Sequence, residues 1–133
     1  MVEEARVPIR SETDILLARQ QGRQMAAALG LTVIDQVATA TAISELARNI
    51  VQYATSGEIV LRIIELEGRR GIVVIAQDGG PGISDIQRVL RGGYSTSGGL
   101  GLGVSGTRRL MDEFEIDSQI GKGTTVTVKK WKT

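Results

Sequence analysis

The chain has no cysteine and no histidine among its 133 residues. Without cysteine, neither a disulfide nor a thiolate metal site can form. Without histidine, imidazole acid–base chemistry, an imidazole metal ligand and a self-phosphorylating histidine are excluded. Aromatic residues make up 3% of the chain, and there are two prolines. Charge of one sign is also lacking: sixteen Lys and Arg stand against fifteen Asp and Glu, a net of +1. A nucleic-acid surface carries a much stronger basic bias, so no nucleic-acid partner is expected. The pairs Arg108-Arg109 and Lys129-Lys130 read as solvated faces. No apolar run approaches the roughly 18 residues that read as a spanning helix. The start, Met1-Val2-Glu3-Glu4, is acidic and lacks the apolar core of a secretion signal. These absences predict a soluble, cytoplasmic, single domain over residues 1–133, with no membrane partner.

What is abundant is glycine, with 17 residues, which points to tight turns and close backbone approaches. Residues 5–10 alternate apolar and polar, and Pro8 suits an edge strand. Ser11 to Asp14 offers caps for a helix to about Leu29, closed by Gly30. Thr32 starts a second helix, running to about Ala54, with an apolar stripe of Ile43, Leu46, Ala47, Ile50, Tyr53 and Ala54. Residues 58–66 and 71–77 read as strands joined by a turn at Glu67-Gly68-Arg69-Arg70. The unbroken apolar run from Ile72 to Ala76 predicts a central, covered strand. A short helix is expected over 84–90, a small-residue loop over 92–99 and a helix over 102–113. Two final strands, 114–118 and 124–131, flank Gly121-Lys122-Gly123. The sum is an α/β sandwich of two layers, a mixed β-sheet with helices packed on one face.

Three pieces of this chain can carry chemistry. Glu45 and Asn49 lie one turn apart on the second helix, at the border of its apolar stripe, where a side chain reaches into a cleft. Asparagine has a neutral oxygen suited to Mg²⁺, and glutamate can serve as a base for a hydroxyl or a water. Asp78 ends the apolar strand and precedes Gly79-Gly80-Pro81-Gly82. An ionised carboxylate only accepts hydrogen bonds, so a buried aspartate there selects adenine, with its exocyclic amine, over guanine. Gly80 and Gly82 let the backbone come close to the base. The stretch 92–106 holds seven glycines in fifteen residues and runs into a helix start, which offers N–H groups and a positive dipole end to phosphates. Taken alone, each piece also fits a plain structural role: a solvated helix face, an Asp-Gly turn, a surface loop. Gly101, Gly103 and Gly106 match the dinucleotide fingerprint, but they follow a Gly/Ser loop and not a strand. There is no Walker A loop, and the eukaryotic protein-kinase motifs are absent.

Together and in this order, the pieces resemble the nucleotide site of the GHKL superfamily, which includes gyrase, the large heat-shock chaperone ATPases, MutL and histidine kinases. Glu45 to Asn49 resembles the family's N box. Asp78 to Gly82 resembles its first glycine box, Gly99-Leu100-Gly101-Leu102-Gly103 its second, and Gly123-Thr124 its final Gly-Thr element. The resemblance spans essentially the whole chain. It implies the GHKL fold and a site for ATP and Mg²⁺. Glu45 would be the base and Asn49 the Mg²⁺ ligand. Asp78 would meet the adenine amine, supported by Thr124, and Gly99, Gly101 and Gly103 would hold phosphates, with Leu100 and Leu102 between them. Ile83 would cover the base, or equally fill the core. Residues 88–98 would form a lid.

A short chain without histidine looks less like the histidine kinases, and gyrase, the chaperones and MutL carry further domains. The Ile43 to Asn49 helix, the Tyr94 to Gly101 lid and the Arg109 to Phe114 segment are similar to the small bacterial serine/threonine kinases of partner-switching pathways, especially the stressosome switch kinases. The anti-sigma-factor kinases are their near relatives. This implies phosphorylation of a STAS-domain protein, as substrate and scaffold, and then activation of a metal-dependent serine/threonine phosphatase. The alternative is a kinase that mainly sequesters a sigma factor. The final motif reads Gly-Thr-Thr-Val, without the phenylalanine of many superfamily members.

Overall fold

The computed structural model describes residues 3–54, 56–79, 106–119 and 121–133. Strand β1 (Glu4–Ile9) leads to helices α1 (Glu12–Leu29) and α2 (Val33–Tyr53), then to strands β2 (Gly57–Leu66), β3 (Arg69–Asp78), β4 (Glu113–Gln119) and β5 (Gly123–Trp131). Residues 106–110 are helical. The sheet order is β1-β2-β3-β5-β4, so the Pro8-containing strand is at an edge and the apolar β3 is central, as the sequence predicts.

Both long helices start and stop where their caps stand. The Asp14 carboxylate accepts the backbone N–H groups of Arg10, at 2.8 Å, and Ser11, at 3.2 Å. Gly30 closes α1 at φ 96°. Thr32 Oγ1 accepts the N–H of Asp35 at 3.2 Å, which satisfies one of the open donors of the first turn of α2.

The two-layer architecture is as expected, but every strand pairing among the described residues is antiparallel, where a mixed sheet was predicted. The connections give the reason. A single crossover helix returns the chain to a parallel strand, whereas the two helices between β1 and β2 reverse it twice and deliver an antiparallel neighbour. The other direct links are hairpins, β2 to β3 and β4 to β5. The turn of the first is tighter than predicted. Only Glu67, at φ 54°, and Gly68, at φ 78°, lie outside the ladder, while Arg69 pairs with Leu66. Two successive positive φ angles form the mirror-image turn whose twist matches the strands.

The helix expected over 102–113 also ends early among the described residues. Lys130 Nζ donates to the Leu110 carbonyl at 2.9 Å, and Asp112 N donates to the Lys129 carbonyl at 3.0 Å. The Asp112 carboxylate takes the Trp131 N–H at 2.8 Å. Partners on β5 thus draw the chain out of the helix and into β4. Helix 84–90 and loop 92–99 fall outside the described residues.

One sheet face packs on the helices. Ile59, Leu61, Val74, Val126 and Val128 join Ile43, Leu46 and Ile50 of α2 and Ile15, Met25 and Leu29 of α1 in one core. At about 1.5–3 kcal/mol per large buried side chain, this face dominates the stability of the fold. The other sheet face is roofed differently. Val60 lies opposite Arg6, and Val73 between Arg62 and Lys129, and these two valines are also buried. Their cover is a lattice of ion pairs: Arg6 to Glu58 at 3.1 Å, Arg62 to Glu4 at 2.6 Å and Lys129 to Glu113 at 3.8 Å. Long side chains at these cross-strand positions cover apolar neighbours with their aliphatic stems and keep their charges in water. The hydrogen bond from Arg62 also lowers the Glu4 carboxyl pKa. Among the described residues no helix is long and apolar enough to cross a membrane.

The turn yields a prediction. Glu67 occupies a left-handed conformation that costs a residue with a Cβ about 1–2 kcal/mol, and asparagine tolerates it better. Glu67→Asn is expected to raise unfolding stability by about 1 kcal/mol, read from the denaturant midpoint of Trp131 fluorescence.

Candidate functional site

Asp78 ends β3 in the middle of a five-residue rung that starts at Ile9 of β1. It pairs with Gly57 of β2 on one side and with Thr124 of β5 on the other, and Thr124 pairs in turn with Ser118 of β4. The rung is tied by polar contacts. Thr124 N donates to Asp78 Oδ1 at 3.3 Å, and the hydroxyls of Thr124 and Ser118 lie 2.8 Å apart. Ser118 Oγ also donates to the Gly123 carbonyl at 3.3 Å. The predicted partners Asp78 and Thr124 are therefore in direct contact.

Two glycines permit this closeness. Gly123 has φ 101°, and a Cβ there would stand 2.0 Å from the Asp78 carbonyl oxygen. Gly57 is a close approach: its missing Cβ would stand 2.3 Å from the Gln77 carbonyl oxygen and 2.9 Å from Ile50 Cγ2. Helix α2 thus rests on the Asp78 rung through Ile50, the residue after Asn49. Ser118 and Gly57 escaped the sequence reading. The hairpin register counted back from Gly121-Lys122-Gly123 would have placed Ser118 opposite Thr124.

On α2 the residues divide by angle, at roughly 100° per residue. Ile43 and Ile50 centre the buried stripe. Asn49 and Tyr53 fall on one flank, together with Asp35, whose carboxylate meets Lys130 Nζ at 3.6 Å. Ser44 and Arg48 fall on the opposite flank, against α1. Glu45 lies between the two flanks on the outer side, and its carboxylate accepts from Arg48 Nη1 at 3.0 Å. Glu45 and Asn49 are both half-buried, but only Asn49 stands at the border of the stripe as predicted; Glu45 faces outward and is partly covered where it lines a groove with α1. A depression of about 550 Å³ opens at Asp78 and Gly79, walled by Pro8, Arg10 and Gly57, and neither Glu45 nor Asn49 lines it. Gly80, Gly82, Ile83, Gly99, Leu100, Gly101, Leu102 and Gly103 lie outside the described residues.

The described residues suit a nucleotide. Asp78 supplies an acceptor-only carboxylate held in place by a backbone N–H. Tyr53, one turn beyond Asn49 on the same flank, has a buried hydroxyl without a hydrogen-bond partner among the described residues. Such an orphan donor normally finds a polar partner. The sequence reading gives Tyr53 to the apolar stripe; the missed signal is the spacing of Glu45, Asn49 and Tyr53 at intervals of four. No group of three acidic side chains that could hold a metal occurs among the described residues, so a Mg²⁺ here would rest on Asn49 and on phosphate oxygens.

The histidine kinase-, DNA gyrase B- and HSP90-like ATPase family matches residues 21–133. The serine/threonine-protein kinase RsbT of Bacillus subtilis (strain 168) is 49% identical over 131 residues, covering 98% of both chains. An anti-sigma F factor of Caldanaerobacter subterraneus subsp. tengcongensis is 32% identical over 120 residues, covering 86% of this chain and 82% of that one. Among solved structures, the RsbU and RsbW domains of Rv1364c from Mycobacterium tuberculosis superpose with a TM-score of 0.64 at 21% identity, over 97% of this chain and 32% of that one. The mycobacterial sensor histidine kinase MprB superposes with a TM-score of 0.58 at 14% identity, over 98% of this chain and 97% of that one. The chain belongs to the histidine kinase-, gyrase B- and HSP90-like ATPase family, in its branch of protein serine/threonine kinases.

The rung predicts the effect of two substitutions. Asp78→Asn replaces an acceptor oxygen with a donor amide and is expected to weaken ATP binding at least tenfold, about 1.4 kcal/mol, in titration calorimetry. Gly123→Ala places a methyl against a backbone carbonyl at a positive φ. It is expected to cost about 2 kcal/mol or more of unfolding stability in the same fluorescence assay.

Proposed function

We propose that this protein, acting as one domain over residues 1–133, transfers the γ-phosphoryl group of ATP to a serine or threonine of a STAS-domain partner in the cytoplasm of a bacterium. The observation that carries this reading is the 49% identity to a serine/threonine kinase over 98% of both chains. The presence of Glu45, Asn49, Asp78 and Thr124 on one helix and one rung supports it.

ATP is a substrate of this reaction, with its adenine amine donating to Asp78 and Thr124 steadying that carboxylate. The family resemblance would give Gly80 and Gly82 the close approach to the base, Ile83 its cover, and Gly99-Leu100-Gly101-Leu102-Gly103 the phosphates, all of them outside the described residues. Asn49 would hold Mg²⁺ through its amide oxygen, and the ion would supply charge neutralisation at the phosphates. Glu45 accepts the proton of the partner's hydroxyl. The hydroxyl oxygen bonds to the γ-phosphorus as the bridging bond breaks, and ADP leaves. The ion pair of Glu45 with Arg48 is a half-buried i,i+3 contact on the helix surface worth a few tenths of a kcal/mol, so it opens at little cost. Phosphate on the partner adds negative charge at the interface and loosens it. The released kinase then engages a metal-dependent serine/threonine phosphatase, the second arm of a stressosome-type switch.

The kinase reading is tested with Mg-ATP and STAS-domain proteins encoded nearby, reading intact mass. A gain of one phosphate is expected. Glu45→Ala is expected to lower turnover by about 10²–10⁴ with ATP affinity retained. Asn49→Ala is expected to lose Mg²⁺-dependent nucleotide binding. Phosphotransfer undiminished in Glu45→Ala would remove Glu45 from the mechanism. The 32% identity to an anti-sigma F factor favours a second reading, sequestration of a sigma factor. Retrieval of a sigma factor by the immobilised protein, with no phosphate gained by any STAS protein, would move the function there.

A further inference from the structure

The face of α2 opposite Asn49 carries a second feature that the nucleotide does not use. Between α1 and α2 runs a groove of about 250 Å³, bordered by Arg19 and Arg23 of α1 and by Thr41, Ser44, Glu45 and Arg48 of α2. Three guanidinium groups meet one carboxylate there. That carboxylate, Glu45, is already paired to Arg48 at 3.0 Å. Arg19 and Arg23 are exposed, and among the described residues neither has an ion-pair or hydrogen-bond partner. They stand one turn apart on the same helix, an arrangement of like charges that costs helix stability. Leu16, one turn before Arg19 and Gln20, is 62% exposed and borders an adjoining hollow that shares both arginines. Val37, on the wall of the groove, is 45% exposed. The surface therefore combines two unneutralised guanidiniums with apolar flanks, in a chain whose overall charge is only +1.

We infer that this α1–α2 groove docks an acidic segment of the protein substrate, with Arg19 and Arg23 as its anion-binding residues. The inference rests on the kinase reading for the identity of the occupant. The position of Glu45 favours a substrate over an unrelated partner. Glu45 lies on the ridge between the groove and the Asn49 flank. A chain seated on the arginines thus ends beside the candidate base, with the nucleotide side of α2 just beyond. Guanidinium forks bind carboxylates in pairs of parallel hydrogen bonds, which sets register as well as attraction. Leu16 and Val37 would meet apolar residues flanking the acidic ones. Recognition of the partner and approach to the base then share one helix.

Two variants of the full chain test this, Arg19→Ala/Arg23→Ala and Arg19→Glu/Arg23→Glu. Both change exposed side chains, and Trp131 fluorescence unfolding verifies that they fold. The first arm uses fluorescein-labelled deca-glutamate in anisotropy titrations, with deca-lysine as control. Wild type is expected to bind deca-glutamate saturably and deca-lysine not at all. The alanine pair is expected to weaken binding at least fivefold, and the glutamate pair to abolish it. The second arm measures phosphotransfer to the STAS-domain protein. KM for that protein is expected to rise about tenfold or more in the glutamate pair, with kcat and ATP affinity within twofold of wild type. Equal deca-glutamate binding by wild type and both variants, no binding by wild type, or an unchanged KM would each overturn the inference. If wild type phosphorylates no STAS protein, the kinase reading falls, while the peptide arm still decides the groove.

Discussion

The packing of one helix face on the sheet governs everything else in this protein. Ile43, Leu46 and Ile50 of α2 are almost wholly withdrawn from water against β2 and β3. Burying three such side chains contributes several kcal/mol, which is comparable to the net stability of a small domain. With that stripe fixed to the sheet, the rotation of α2 about its axis is no longer free. Asn49 and Tyr53 must then lie on one flank, Ser44 and Arg48 on the other, and Glu45 on the ridge. The two sides of the helix acquire different neighbours, and so different chemistry.

The same packing locates the helix against the Asp78 rung. Contact between Ile50 and the bare backbone of Gly57 sets the height of α2 over the end of β3. At that end, Asp78 is held by Thr124, Thr124 touches Ser118, and Gly123 leaves room for the Asp78 carbonyl. The Asp78 carboxylate accepts the backbone N–H of Thr124 at 3.3 Å, which fixes its direction at the end of β3. Lys130 bridges Asp35, Asp112 and the Leu110 carbonyl, joining the start of α2 to the residues that end helix 106–110. The arginines of the outer sheet face are spent in covering Val60 and Val73. Arg19 and Arg23 stand apart from both arrangements, and that isolation marks their groove as a surface for something outside the chain.

Much of this was legible in the residues. Both ends of α1 and the start of α2 follow from Ser11, Asp14, Gly30 and Thr32, because capping is decided within four residues of chain. The central place of β3 follows from the unbroken run Ile72 to Ala76, because a strand covered on both faces cannot alternate. The pairing of Asp78 with Thr124 was suggested by motif order and is realised by the β3–β5 register. Residues further apart were harder to read. Tyr53 looks like one more apolar position until its hydroxyl is seen without a partner. Helix 102–113 looks continuous because its residues are good helix formers, yet contacts from Lys129, Lys130 and Trp131 stop it at Leu110.

The sequence alone determined the classes of chemistry that are open, the element order, the caps and the four ordered motifs, because each depends on residue type and short-range spacing. Tertiary structure decided the antiparallel sheet, since strand direction depends on how two helices fold back together. It also decided that Ser118 belongs to the Asp78 rung, since that needs Asp78 and Thr124, from strands that no hairpin joins, to come into register. The division of α2 into a flank bearing Asn49 and Tyr53 and an arginine-lined flank came last. Periodicity shows which face of a helix is apolar, but only packing against α1 and the sheet shows what each remaining flank meets.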